Sequence, residues 1–170
     1  EVRGEDCYNK KTGRKIAACM PMHTFGFPVH LDELIKVCEK WNIPLVEDAA
    51  ESLGSEYKGT PTGGFGKIGA FSFNGNKIAT AGGGGAIVTN NIELGNKAKF
   101  LTTTAKNPHR YEYYHGELGY NFRMPNLNAA LACAQLENLN LFLKNKRELA
   151  HLYEAFFKEN GVKFRTETKD

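Results

Sequence analysis

Residues 15–48 read KIAACMPMHTFGFPVHLDELIKVCEKWNIPLVED, with an amphipathic segment between two apolar ones. The first apolar segment, 15–24, is typical of a buried strand, and Gly26 and Pro28 end it. Apolar residues then recur at the spacing of one helix face, at Leu31, Leu34, Ile35 and Cys38. Residues 43–47 form a second short apolar strand. This order predicts a βαβ unit, which implies a parallel sheet with a right-handed crossover.

The rest of the chain continues with short strands followed by helices. Strands are expected at 70–73 and 86–89. Helices are expected at 92–101, from 126 onward and at about 139–158. The segment 102–125 has no clear period, and a loop of this length suggests a functional role. We therefore predict an α/β fold with three layers.

Composition and charge argue against several classes of protein. The 170 residues are 41% hydrophobic and 24% charged, and the formal net charge is +3. No segment is dominated by Lys and Arg, so a nucleic-acid partner is not expected, and the apolar runs are too short to span a membrane. The four cysteines form no C-x-x-C pair. We expect no metal site, and reduced, mostly buried thiols in a cytoplasmic protein.

Polar residues with catalytic capacity follow two of the predicted strands. Asp48 comes directly after the strand at 43–47, and Ser72 and Lys77 lie within FSFNGNK. Taken singly, Asp48 is equally suited to capping a loop, and Lys77 to an ordinary surface position. Together they suit pyridoxal chemistry, in which an amine binds the cofactor aldehyde, a carboxylate keeps the pyridine nitrogen protonated, and hydroxyl and amide groups hold the phosphate.

The glycines at 82–85 raise a nucleotide-binding loop as an alternative. They do not form G-x-G-x-x-G before a helix but lead into a predicted strand. The nearest match to a P-loop, at 63–67, has the wrong spacing and no Ser or Thr after Lys67. Both departures disfavour a nucleotide-binding oxidoreductase and a Walker-type nucleotide site.

Three segments closely resemble the DegT/DnrJ/EryC1/StrS family of sugar aminotransferases. They are VEDAAESLGS at 46–55, GKIGAFSFNGNKIATAGGGGAIVTNN at 66–91 and GYNFRMPNLNAALACAQL at 119–136. The resemblance extends from about residue 16 to about residue 153. Its variant details look most like the subgroup that makes amino sugars for legionaminic-type nonulosonic acids.

The resemblance implies a fold and a division of the chain. The fold would be the three-layer α/β/α large domain of a fold-type-I transferase that depends on pyridoxal 5′-phosphate. Members of the family are much longer, so this chain is expected to be a central fragment. Residues 1–137 would belong to the cofactor-binding large domain. Residues 138–170 would form a helix that leads toward the small C-terminal domain.

The resemblance also implies roles for five residues. Lys77 would bind the cofactor covalently and act as the catalytic acid and base, while Asp48 would pair with the pyridine nitrogen. Ser72 would contact the phosphate, and Asn121 would reach the phosphate from the neighbouring subunit of a homodimer. Glu51 stands where the family commonly has Gln near the cofactor 3-hydroxyl, so its role is open.

The implied activity is transamination of a nucleotide-linked keto-sugar, with an amino acid such as L-glutamate as donor, in cell-surface polysaccharide biosynthesis. Some family members have His in place of the lysine and are dehydratases, so Lys77 favours transamination. Dehydration and non-catalytic cofactor binding are the alternatives. His23 suits either a place beside the cofactor or a core position with a backbone partner. The basic residues Lys106, His109 and Arg110 are candidates for nucleotide contacts, although loop cations are more often solvated.

Overall fold

The computed structural model describes residues 1–167, so the last three residues of the predicted C-terminal segment 138–170 lie outside the described residues. The strands are β1 (Val2–Arg3), β2 (Asp6–Cys7), β3 (Val46–Asp48), β4 (Glu56–Tyr57), β5 (Thr60–Pro61), β6 (Ile68–Ser72) and β7 (Gly85–Val88). The α-helices are α1 (Leu31–Lys40), α2 (Ile92–Thr102), α3 (Asn126–Glu137) and α4 (Leu139–Phe157). Within the described part of the chain, no helix combines the length and apolar character that crossing a membrane requires.

The predicted βαβ unit is present. The segment 15–24 lies parallel to β3 through bridges between Cys19 and Leu45 and between Met22 and Asp48. Its hydrogen bonds with β3 are interrupted at Pro21, which has no N–H group to donate, so it forms isolated bridges and not a continuous strand. Helix α1 connects it to β3.

The central sheet has the order β3-β6-β7. Strands β3 and β6 are parallel, with Asp48 opposite Ala70, whereas β6 and β7 are antiparallel, with Ser72 opposite Gly85. The parallel sheet that the βαβ pattern implied therefore holds for β3 and β6 but not for β7. No helix separates β6 from β7, so the chain folds straight back along β6.

Helix α1 packs on the residue before β3 and on β4 with the apolar face predicted from its spacing. Leu31 and Cys38 are buried with Leu45 and Tyr57. Complete burial of a side chain such as Leu31 stabilises the fold by about 2 kcal/mol. Acidic residues in the first turn and Lys40 in the last turn match the helix dipole.

A second apolar cluster joins helix α3 to the segment after β6. Phe73, Ala81 and Ala132 are its buried members. Because Ala132 occupies the inward position of α3, the next residue, Cys133, points away and is exposed. The expectation of mostly buried thiols is therefore wrong for Cys133. Cys7 and Cys38 are buried.

The close contact between β6 and the segment before it can be tested at Gly69. A Cβ atom there would lie 2.2 Å from the carbonyl oxygen and 2.7 Å from the Cα of Gly63. Because both atoms belong to the backbone, we expect Gly69→Ala to lower the free energy of unfolding by about 1–3 kcal/mol, measured by urea denaturation. The control is Gly75→Ala, whose Cβ would meet nothing within 4 Å. Equal stability of the two variants would contradict this packing.

Candidate active site

The carboxyl ends of β3 and β6 lie side by side at one edge of the sheet. Asp48 is the last residue of β3, and not the first residue after it as predicted, while Ser72 is the last residue of β6. Asp48 Oδ1 accepts a hydrogen bond from the Ala50 N–H at 3.2 Å, and Ser72 Oγ accepts one from the Asn74 N–H at 3.3 Å. Both side chains are half-buried and keep further capacity to bind a ligand.

Lys77 lies on the loop that follows β6. The loop is closed at its base, because the Phe73 carbonyl accepts hydrogen bonds from the Ala81 N–H at 2.9 Å and the Thr80 hydroxyl at 3.2 Å. Within the loop, the Lys77 N–H donates to the Asn74 carbonyl at 3.0 Å. Since Phe73 and Ala81 also pack on helix α3, the loop starts and returns at fixed points next to Ser72.

The amine of Lys77 is paired with Glu51. Lys77 Nζ lies 3.4 Å from Glu51 Oε1, and the two side chains are only 17% and 30% exposed. Glu51 Oε2 accepts a hydrogen bond from the Phe25 N–H at 2.8 Å. This hydrogen bond lowers the pKa of Glu51; partial burial opposes the effect, and Lys77 reinforces it. Glu51 is therefore ionised at neutral pH.

A wholly buried carboxylate lies next to Asp48 in β3. Glu47 accepts four hydrogen bonds, from the N–H groups of Gly63 (2.8 Å), Phe65 (2.7 Å) and Gly66 (2.7 Å) and from the Nε2 of His23 (3.1 Å). Burial raises the pKa of Glu47, but the hydrogen bonds from His23 and the three amides outweigh burial, and the pKa falls below its ordinary value. Glu47 is therefore a charged group held by the fold.

His23 is a core histidine, the second of the two positions that the sequence allowed. It is fully buried, and its Nδ1 accepts the Val29 N–H at 3.3 Å. The other ring nitrogen, Nε2, must then bear the hydrogen atom and donate the hydrogen bond to Glu47, so the ring is neutral. Glu47 itself was not recognised as important from the sequence. The signal was a glutamate within the apolar run IPLVE, because a buried Glu is found only where it has partners.

Asn121 does not join the other predicted site residues. It is exposed, and its backbone bridges to Thr103. Among residues 1–167, no hydrogen bond connects its side chain with Asp48, Ser72 or Lys77. The structure of one chain therefore leaves its role in a neighbouring subunit as a prediction.

The three basic residues of the long loop have partners within the loop. Lys106 Nζ lies 3.6 Å from the centre of the Tyr113 ring, and the Arg110 guanidinium lies 5.1 Å from the centre of the Tyr111 ring. His109 Nδ1 accepts hydrogen bonds from two nearby backbone amides. These local contacts do not require a nucleotide.

The side chains at this edge fit pyridoxal 5′-phosphate. A half-buried amine, a carboxylate at the end of β3 and a hydroxyl at the end of β6 correspond to the aldehyde, the pyridine nitrogen and the phosphate. The protein has the α/β fold of fold-type-I transferases, as the relatives below show. In particular, the chain belongs to the DegT/DnrJ/EryC1/StrS aminotransferase family, which it matches over residues 5–170.

Individual relatives agree with this membership. The chain is 40% identical to EpsN of Bacillus subtilis (strain 168), which carries the name of a pyridoxal phosphate-dependent aminotransferase, over 93% of this chain and 41% of EpsN. It is 38% identical to the GDP-perosamine synthase of Escherichia coli O157:H7, over 95% and 44% of the two chains. Among solved structures, Helicobacter pylori PseC, an aminotransferase of pseudoaminic acid biosynthesis, aligns with a TM-score of 0.82 at 31% identity, over 85% and 39%. The chain thus spans about two fifths of the length of these relatives.

The role of Glu47 in stability can be tested by Glu47→Gln. One carboxylate oxygen would become an NH₂ group that faces N–H donors, so two of the four hydrogen bonds would be lost. We expect the free energy of unfolding at pH 7, from urea denaturation, to fall by about 2–4 kcal/mol. Glu39→Gln, on the exposed side of helix α1, is the matched control and should change it by less than about 0.5 kcal/mol.

The pH dependence of stability in the unaltered protein and in Glu47→Gln gives a second test. Because the pKa of Glu47 is lowered in the folded state from an ordinary value of 4.5, its contribution is complete above pH 4.5 and is lost as the pH falls through the lowered value. The stability difference between the unaltered protein and Glu47→Gln should therefore shrink on acidification. A difference that stays constant or grows in acid would show that the charge of Glu47 is not what stabilises the fold.

Proposed function

We propose that this chain forms the catalytic centre of a pyridoxal-phosphate-dependent aminotransferase that acts on a nucleotide-linked keto-sugar. The observation that carries the proposal is the half-buried Lys77 amine, 3.4 Å from Glu51, on the loop that starts beside Ser72 and Asp48. When bound, the cofactor supplies an electron sink for the carbon from which the nitrogen is transferred. The chain supplies the groups that bind and orient it.

Each of the three residues has a separate task in this proposal. Lys77 binds the cofactor covalently and, once its amine is released, takes up and returns the proton at the reacting carbon. Asp48 keeps the pyridine nitrogen protonated. Its carboxylate accepts one hydrogen bond from the Ala50 N–H and can accept another from the nitrogen. The Ser72 hydroxyl and the amides of the following turn donate to the phosphate.

The substrate class rests on the relatives. GDP-perosamine synthase and the UDP-4-amino-4,6-dideoxy-N-acetyl-beta-L-altrosamine transaminase of Campylobacter jejuni, which is 36% identical to this chain, both carry names of nucleotide-linked amino sugars. These names support a nucleotide-linked keto-sugar as acceptor, and L-glutamate is the proposed donor. The more specific placement in the legionaminic-type subgroup stays a prediction.

We further propose that the enzyme is a cytoplasmic homodimer with shared active sites. The segment 102–125 exposes many apolar side chains, among them Tyr111, Tyr113, Leu118 and Phe122. Such a surface next to Asn121 is suited to contact with a second subunit. Residues 1–137 would belong to the cofactor-binding domain, and 138–170 would lead toward a small C-terminal domain, as the length of the relatives suggests.

The covalent role of Lys77 can be tested by chemical reduction. The full-length protein is incubated with pyridoxal 5′-phosphate and reduced with borohydride, and the labelled peptide is located by mass spectrometry. We expect the label on Lys77 and its loss in Lys77→Arg, which retains the positive charge beside Glu51. In the control Lys67→Arg, at an exposed position before β6, the label should remain. A label on a different lysine would contradict the proposal.

The choice between transamination and its alternatives can be tested by absorbance. Addition of L-glutamate to the yellow full-length protein should remove the colour, since the nitrogen moves to the cofactor, and addition of a nucleotide-linked keto-sugar should restore it. A dehydratase would consume the sugar without needing glutamate. A protein that binds the cofactor but changes colour with neither compound would be a non-catalytic cofactor-binding module.

A further inference from the structure

Glu51 connects two parts of the site that are distant in sequence. One carboxylate oxygen lies 3.4 Å from Lys77 Nζ, and the other accepts the Phe25 N–H at 2.8 Å. A Cβ atom at Gly26 would lie 3.3 Å from the Glu51 carbonyl oxygen, so the turn Thr24–Gly26 also packs closely on the Glu51 backbone. The carboxylate therefore holds a backbone turn and a reactive amine at once.

The turn held by Glu51 is strained. Phe25 has φ = 54°, in the left-handed region that bulky residues rarely adopt, and the residue is 83% exposed. Packing of the ring therefore does not offset the cost of this backbone conformation. The hydrogen bond from the Phe25 N–H to Glu51 stabilises this conformation, together with the backbone hydrogen bonds from Gly26 to His23 and from Phe27 to Thr24.

The charge of Glu51 matters because a lysine ammonium cannot react with an aldehyde. Only the neutral amine has the lone pair that attacks the aldehyde carbon. The ion pair with Glu51 occupies the Lys77 amine, which must leave the carboxylate before it reaches the aldehyde. A glutamine in the same place would turn its NH₂ group toward the lysine when its oxygen accepts the Phe25 N–H, so no ion pair would hold the amine.

Other charged groups near this edge are engaged elsewhere. On β3, Asp48 accepts the Ala50 N–H and Glu47 is occupied by its four donors. On the segment before the turn, His23 is neutral and donates to Glu47. Among residues 1–167, Glu51 is the only acidic side chain within 4.0 Å of the Lys77 amine.

We propose that Glu51 is a positioning residue that holds the Lys77 amine in an ion pair and anchors the strained turn at Phe25, so that Lys77 captures the cofactor only after this ion pair opens. The inference rests on the proposed covalent role of Lys77. The ammonium first loses a proton to solvent. The neutral amine then attacks the aldehyde carbon, a C=N bond forms, and the aldehyde oxygen takes up the two protons of the amine nitrogen and leaves as water.

The first test measures the rate at which cofactor-free, full-length protein captures pyridoxal 5′-phosphate, followed by absorbance without any turnover. Between about pH 6.5 and 7.5, Glu51→Gln should capture it about two- to fivefold faster than the unaltered protein, as expected for loss of a partly exposed ion pair. The advantage should decrease as the salt concentration rises, because salt weakens a partly exposed ion pair in the unaltered protein. Glu56→Gln, at an exposed position on β4, is the control and should match the unaltered protein.

The second test separates the anchoring role from the charge. Glu51→Ala removes the acceptor of the Phe25 N–H, whereas Glu51→Gln keeps an oxygen in that place. Hydrogen exchange at Thr24–Gly26 should become faster in Glu51→Ala and stay near the unaltered rate in Glu51→Gln. Equal capture rates in Glu51→Gln and the unaltered protein at every salt concentration, or unchanged exchange in Glu51→Ala, would overturn the inference. Failure of the unaltered protein to bind the cofactor at Lys77 would instead overturn the proposed function.

Discussion

The buried carboxylate of Glu47 sets the alignment on which the site depends. It lies in β3 and accepts the N–H groups of Gly63, Phe65 and Gly66, so the segment that enters β6 is fixed against β3. The parallel register that follows places Asp48 opposite Ala70, two residues before Ser72. The hydrogen bonds of Glu47 thus bring the end of β3 next to the end of β6.

The base and the tip of the Lys77 loop are held by different contacts. Its base is closed by hydrogen bonds to the Phe73 carbonyl and by packing on helix α3, which are ordinary stabilising interactions. Its tip meets Glu51, a charged group that also holds a strained turn. A fixed base with a charged, partly exposed tip is suited to a lysine that must form and release a covalent bond while its loop stays in place.

Short-range patterns predicted the elements and the βαβ unit well, whereas contacts between loops were not predictable. The spacing of Leu31 and Cys38 identified helix α1 and its buried face, and the sequence positions of Asp48 and Ser72 relative to the strands placed both residues at one edge of the sheet. The contact of Glu51 with Lys77 joins residues 26 apart and depends on the path of two loops. The antiparallel direction of β7 was likewise missed, because periodicity carries no information about strand direction.

We propose that the ends of β3 and β6 and the following loop form one cofactor site. The most direct measurement is a crystal structure of the full-length protein with pyridoxal 5′-phosphate. The account predicts continuous density between Lys77 Nζ and the cofactor, the pyridine nitrogen within hydrogen-bond distance of the Asp48 carboxylate, and the phosphate at Ser72. A cofactor bound away from this edge, or a pyridine nitrogen without Asp48 as its partner, would contradict the account.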